Sequence, residues 1–394
     1  TGAPSPTPST VVTASQKPSP EPPPSPTPTP EVDPIAQQLA AMTVEQKVGQ
    51  LLVAGFEGTE AGQDAKTLIT EYQVGGLILF GRNVQSAGQL LTLTNHLKAL
   101  NGTYTPLFLC IDQEGGVVDR MPPEVHRTPS AFSVGQAGDV PARALLYGRA
   151  LGSLCAAFGL NTDFAPVADI WSNPNNTVIG RRAFGTDADI VSAGVIAATD
   201  GLQERGIIPV AKHFPGHGDT DVDSHVGLPV VTKSLETWEQ FELLPFRTLM
   251  EASSPPCLMV GHILLTALDD AYPATLSRPV VTGYLREEQG YTGTIFTDDM
   301  TMGAITQTYG LGEAVVLAVE AGCDGILVCH GADNIAAART ALLEAAASGR
   351  ISPQRLDESV TRILQLKQDY ALTNLPADAP DLAQLNAELD AILS

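Results

Sequence analysis

The chain has 394 residues, 43% of them hydrophobic, and a formal net charge of −22. A surface this acidic repels phosphate backbones and anionic lipid, which argues against nucleic acid as a partner, and no apolar run reaches the roughly 18 residues of a membrane-spanning helix. The five cysteines, Cys110, Cys155, Cys257, Cys323 and Cys329, are odd in number and form no CxxC, and most sit in or beside apolar runs. Core packing is therefore expected of them, not a disulfide framework.

Residues 1–34 hold 12 of the 30 prolines, with Ser and Thr filling most of the rest. Such a stretch has too little apolar surface to offset the entropy of ordering, so a disordered, extended tether is expected. It carries −2 through Lys17 against Glu21, Glu31 and Asp33, leaving −20 on the body. A chain starting at Thr1 behind such a tether reads as a processed extracytoplasmic protein, secreted or anchored at the cell surface. Residues 35–394 then form one domain.

The first helix of that domain opens on the capping-box pattern Thr43-x-x-Gln46. Eight candidate strands follow, near Leu52–Phe56, Gly76–Phe80, Leu107–Asp112, Thr162–Val167, Ile208–His213, Leu258–His262, Thr294–Asp298 and Gly325–Cys329. Most are continuously apolar and bounded by Gly, Pro or Asp, as parallel strands buried on both faces are. Helical stretches such as Ala142–Phe158, Asp189–Arg205 and Gly312–Ala321 alternate with them. This order predicts an α/β fold of the (β/α)8 TIM-barrel type, with an open doubly wound sheet as the alternative. A last strong helix is expected from Ser352-Pro353, and one more short helix beyond Thr373.

Barrel enzymes place their chemistry at the C-terminal ends of strands. Here those ends deliver Asp112 with Gln113-Glu114-Gly115-Gly116, then Lys212 and His213, then Thr297, Asp298 and Asp299. Such residues would be costly as core filling. The strongest local signal is Lys212–Thr220, continuing through Asp221 and Asp223-Ser224-His225. Its glycines permit a sharply bent backbone. Asp223 and His225 flank one serine, so in an extended loop both side chains face one way, and an aspartate orienting a histidine suits proton transfer. The spacing His213-x3-His217 also admits a metal-site reading, without a helix to align the rings, and a purely structural loop is the third reading.

Lys212–Thr220 with Asp223-Ser224-His225 resembles the signature of glycoside hydrolase family 3 β-N-acetylhexosaminidases of the bacterial cell-wall recycling type. Gly75–Phe80 with Arg82-Asn83, Ile111–Gly116, Phe164–Asp169, Gly180–Gly185, Met259–Ile263 and Thr297–Met300 agree in order, and the resemblance spans roughly residues 36–370. It implies a retaining mechanism with Asp298 as nucleophile, His225 as acid/base assisted by Asp223, and Asp112, Arg120, Arg182, Lys212 and His213 as sugar-binding residues. Glu114 is the rival acid/base, and Asp299 is expected to support the site from behind or to be structural. Lys212, His213 and Arg182 are placed to keep Asp298 ionised. Two departures stand out: Val117 where arginine is common, and Arg181 where aspartate is common.

The resemblance thus implies removal of terminal β-linked N-acetylglucosamine from peptidoglycan or chitin fragments. Family 3 β-glucosidases usually draw their acid/base from a second domain; Asp223-Ser224-His225 in a barrel loop favours the amino-sugar branch. Phosphorolysis, and a non-catalytic cell-surface sugar-binding protein, are the alternatives. The expected partner is an N-acetylglucosamine-containing oligosaccharide, the expected state a monomer, and no metal or organic cofactor is implied.

Overall fold

The computed structural model of the chain describes residues 1–10, 33–220, 223–224, 227–251 and 257–393. Of the expected tether, residues 11–32 lie outside this set, as does His225. Residues 1–10 are exposed and form neither helix nor strand.

The body opens earlier than expected, with a helix over Pro34–Ala41. Asp33 caps it by accepting the Ile35 amide at 2.9 Å, and Pro34 occupies the first helical position, where its missing N–H costs nothing. The expected capping box then starts the helix Val44–Leu51. Thr43 Oγ1 accepts from the Gln46 amide, and Gln46 Oε1 from the Thr43 amide.

Eight parallel strands follow: β1 Leu52–Gly55, β2 Gly76–Leu79, β3 Phe108–Ile111, β4 Thr162–Asp163, β5 Ile208–Phe214, β6 Cys257–Val260, β7 Ile295–Thr297 and β8 Ile326–Val328. Each pairs with the next in sequence, and β8 pairs with β1 through Leu52–Ile326 and Val53–Leu327. A bridge between Phe296 and Gly325, with the Thr297 amide donating to Gly325 O at 2.8 Å, joins β7 to β8. The ring is therefore closed, and the open-sheet alternative falls.

The interior is packed with side chains, as barrels of this size require. Phe296 from β7 meets Phe108 of β3, on the opposite wall, edge-on at 5.9 Å, and Phe164 at 5.8 Å. Gly325 makes room for this, since a Cβ there would lie 2.3 Å from the Phe296 ring. All five cysteines are free and buried. Outside the barrel, Val140–Ala157, Ala188–Glu204 and Leu311–Ala321 are helical, as is Pro353–Asp369 capped by Ser352. A final helix spans Leu382–Leu393. No helix among the described residues is long and apolar enough to cross a membrane.

Two strands depart from expectation in ways that shape the site. The fourth, expected to run to Val167, is a regular strand only over Thr162–Asp163. Beyond it the chain stays against β5 with irregular spacing: the Val210 and Lys212 amides donate to Ala165 O and Pro166 O at 3.0 Å and 3.1 Å, and the Ala168 amide donates to Lys212 O at 2.6 Å. The fifth is the longest strand, and its register against β6 shifts between Ala211 and Phe214. Such a shift re-aims side chains, here those of Lys212 and His213.

Candidate active site

The C-terminal ends of the strands surround a cavity of about 380 Å³. Asp112, Arg120, Arg182, Lys212, His213 and Asp298 all line it, so six of the eight expected site residues converge. The lining reaches the segment after β5 at Ser224; Asp223 is not part of it, and His225 lies outside the described residues. Val117 is 75% exposed, and Arg181 packs over the Phe132 ring and donates to Ser133 Oγ. Neither departure residue lines the cavity. A larger cleft of about 970 Å³ lies against Pro279, Leu317 and Arg355 on the outer helices, away from the strand ends.

The β3 and β5 wall is a chain of alternating charges. Asp112 Oδ1 and Glu114 Oε1 each lie 2.6 Å from Lys212 Nζ. Glu114 also takes a fork from Arg182, at 2.7 Å from Nε and 2.8 Å from Nη2. Burial opposes charge on both Glu114 and Lys212. The Arg182 and Lys212 cations nevertheless hold Glu114 far below the usual carboxylate range, and Asp112 and Glu114 keep the Lys212 ammonium above its ordinary value. An acid so strongly ionised is no proton donor, which removes Glu114 as the rival acid/base. Among the described residues Asp112 is bonded through Oδ1 alone, and Arg120 Nε is buried without a partner.

His213 is oriented from behind. Its Nδ1 lies 2.7 Å from Asp169 Oδ2, which fixes the proton on Nδ1 and turns Nε2 towards the cavity, 3.5 Å from Arg182 Nη2. Asp169 is fully buried and also accepts the amides of His213 and His217, at 3.3 Å and 2.7 Å. Burial raises its carboxyl, but His213 and His217 more than offset this. Asp169 was not singled out as a site residue in the sequence, although it lies in the matched Phe164–Asp169 segment.

The loop after β5 folds back onto the barrel. Gly218 lies so close to the Ile170 carbonyl that a Cβ would stand 1.7 Å from that oxygen. His217 is buried, and its Nδ1 lies 2.7 Å from Thr220 Oγ1, whose own proton goes to His217 O. Nδ1 therefore carries the proton, and Nε2 accepts from Ser224 Oγ at 3.1 Å. Both ring nitrogens are engaged, which leaves none for the metal reading of His213-x3-His217. The Ala304 amide donates to Ser224 O at 3.0 Å, giving Ser224 a second anchor.

Asp298 sits at the end of β7, its Oδ1 accepting the Asp299 amide at 2.8 Å. Burial would raise its pKa, but His262, His213, the Asp299 amide and Lys212 bring it below the usual carboxylate value. Burial holds the His262 imidazole below its ordinary value. Arg182, expected to help keep Asp298 ionised, is committed to Glu114 instead. His262 Nε2 donates to Asp299 O at 2.9 Å and so holds the turn that carries both aspartates. Asp299 accepts from the Thr301 and Cys329 amides and from Thr301 Oγ1, which ties it to the turn beside Asp298 at the edge of the cavity.

The family model described as the glycosyl hydrolase family 3 N terminal domain matches residues 43–366. Over 389 residues the chain is 33% identical to Beta-hexosaminidase A of Pseudoalteromonas piscicida, covering 88% of this chain and 64% of that protein. Over 339 residues it is 36% identical to Beta-hexosaminidase LpqI of Mycobacterium tuberculosis, covering 83% of this chain and 84% of that one. The solved structure of a glycoside hydrolase family 3 beta-N-acetylglucosaminidase from Paenibacillus sp. str. FPU-7 superposes with a TM-score of 0.84 at 42% identity. That match covers 89% of this chain and 68% of the other.

Proposed function

The chain belongs to glycosyl hydrolase family 3, and from that premise we propose that it is a retaining β-N-acetylglucosaminidase acting on terminal sugars of peptidoglycan or chitin fragments. One observation carries the reading. An ionised carboxylate, Asp298, faces a wall of donors and acceptors, Asp112, Lys212, Arg182 and His213, across a cavity large enough for one sugar ring and part of its neighbour.

In the first step an Asp298 oxygen attacks the anomeric carbon as the bond to the leaving oxygen breaks. His225, oriented by Asp223, gives that oxygen its proton. In the second step neutral His225 takes a proton from water, the water oxygen bonds to the anomeric carbon, and Asp298 leaves as carboxylate. Asp112 accepts sugar hydroxyls while Arg120, Lys212 and His213 Nε2 hold the ring against the attacking oxygen. The roles of His225 and Asp223 rest on the family resemblance. Extracytoplasmic location and surface attachment through residues 1–34 belong to the same reading, supported by the composition of that segment.

The test is release of nitrophenol from its β-N-acetylglucosaminide and its β-glucoside. The acetylated sugar is expected to be preferred, and Asp298→Asn to lose at least about 10³-fold in kcat. His225→Ala should lose about 10²–10⁴-fold, chiefly on poor leaving groups. Cleavage of the glucoside alone would overturn the amino-sugar reading. Full activity of Asp298→Asn would overturn the nucleophile, and sugar 1-phosphate formed in added phosphate would replace hydrolysis by phosphorolysis.

A further inference from the structure

The cavity has two unlike sides. The β3 and β5 side supplies the ions Asp112, Glu114 and Lys212, whereas β2 and β8 lead into Phe80 and into Cys329-His330. His330 is thus a polar residue on the less polar side, and its side chain is 53% exposed at the cavity rim.

The His330 ring is held from several directions. Its Nδ1 lies 3.3 Å from Arg82 Nη1. A guanidinium can only donate, so Nδ1 accepts and the proton of the neutral imidazole sits on Nε2. Arg82 is itself fixed. Its Nη2 donates to Cys329 O at 2.7 Å, its Nε donates to Phe56 O at 3.2 Å, and the guanidinium stands 4.5 Å over the Phe80 ring. The Phe80 and His330 rings lie 5.5 Å apart, tilted by 32°. At the His330 backbone, Asn334 Nδ2 donates to the carbonyl at 2.9 Å. Asp299 Oδ2, 3.7 Å from Nε2, is beyond hydrogen-bond reach, so the Nε2 proton has no acceptor among the described residues.

Asp299 links this ring to the nucleophile. Its amide donates to Asp298 Oδ1 at 2.8 Å, and its Oδ1 accepts the Cys329 amide at 3.0 Å. The attacking carboxylate and His330 therefore share one frame. A sugar whose anomeric carbon meets Asp298 carries its 2-substituent on the neighbouring carbon. On an N-acetylated sugar that substituent offers a carbonyl oxygen, which needs a donor, and a methyl group, which favours an apolar surface. Asp112, Lys212 and His213 face hydroxyls that glucose and N-acetylglucosamine share, so they do not tell the two apart. Resting on the hexosaminidase reading above, we propose that His330 is a specificity-determining residue: its Nε2–H donates to the acetamido carbonyl of the bound sugar, with the methyl group against the Phe80 ring. A 2-hydroxyl has neither carbonyl nor methyl, so a bound glucoside leaves this donor to water.

The experiment compares wild type, His330→Ala and His330→Gln on the nitrophenyl β-N-acetylglucosaminide and β-glucoside. A glutamine side chain brings an amide N–H close to where Nε2 stands. His330→Ala should lower the ratio of kcat/KM, acetylated sugar over glucoside, about tenfold or more, and His330→Gln should restore most of it. The dissociation constant of free N-acetylglucosamine, measured by calorimetry, should rise by a similar factor in His330→Ala and recover in His330→Gln. A ratio that stays constant, whether both substrates lose equally or neither loses, would overturn the inference and leave His330 a merely structural rim residue. Wild type that cleaves no acetylated sugar would sink the hexosaminidase reading instead, and the dissociation constants in the two variants would then decide the role of His330 by themselves.

Discussion

A carboxylate held between an ammonium and a guanidinium orients both, because each cation spends some of its N–H bonds on it and presents the rest in fixed directions. Glu114 does this for Lys212 and Arg182 at the cavity wall. Glu114→Gln leaves the two cations facing each other with one negative charge fewer, and losing one member of a buried ion pair is costly. We expect kcat/KM to fall on the order of 10²-fold, with both limbs of the pH–rate profile kept. Were Glu114 the proton donor, the basic limb would vanish, so the profile separates the roles. Asp112, Lys212, His213 and Asp298 were legible because polar groups at the ends of apolar strands stand out in one dimension, whereas Arg120 and Arg182 were reached only through the family resemblance. Asp169 and His262 were not legible. Each acts on a residue that the chain brings near only after folding, as when Asp169 on the loop after β4 meets His213 of β5. The sequence shows such partners only as polar residues inside a matched segment.

At the scale of elements, all eight strands were legible to within a few residues, since a short continuous apolar run between Gly, Pro and Asp is what a doubly buried strand requires. The exception is β4, regular only to Asp163, although Ala165, Pro166 and Val167 still pair with β5 as the continuing apolar run implied. The helix Pro34–Ala41 was missed because its composition continues the Pro-rich tether up to its first residue. Tertiary approach was not legible either, and Gly218 tests it. A methyl there meets the Ile170 carbonyl at 1.7 Å, with backbone on both sides and no flexible side chain to yield. Gly218→Ala should lower kcat/KM about tenfold or more and the Tm by several degrees, as expected where backbone must shift. Gly88, exposed in the helix Ala87–Asn101 with nothing within 4 Å of a built Cβ, is the control. Gly88→Ala should keep full activity and change stability by no more than about 0.5 kcal/mol, because Gly88 lies in the first turn, where the entropy cost of Gly is smaller than in a helix interior. Equal Tm losses in the two variants would mean that close approach is not what Gly218 serves.

Over the whole molecule, chemistry and stability sit at opposite ends of the barrel, and a buried lysine at the foot makes the stability end sensitive to pH. Lys367, on the helix Pro353–Asp369, is 4% exposed. Its Nζ donates to Gln50 Oε1 and Gly75 O, both at 2.8 Å, and stands 4.5 Å over the Phe108 ring. Burial draws the amine down to about 7, against an ordinary value of about 10.4. The neighbouring Cys110 thiol is pushed up by burial and stays uncharged. A cation whose folded pKa lies below its unfolded one binds its proton more weakly when folded. Its penalty is therefore in full force below pH 7 and is relieved as pH rises from about 7 towards 10.4. Most carboxylates are already ionised across that window, so the large negative charge of the chain changes little. Lys367→Met removes the titration while keeping an unbranched stem. The melting temperature of this variant relative to wild type should drop by a further 3–6 °C, roughly, between pH 6 and pH 9, because only wild type gains over that range. Comparing the two proteins at each pH cancels every group they share, including the unpaired Gln50 and Gly75 oxygens left at both pH values. Activity profiles of the two should coincide, because Lys367 lies at the far end of the barrel from Asp298. A gap that stays constant with pH would mean that the two oxygens and the ring stabilise the ammonium enough to restore its ordinary titration.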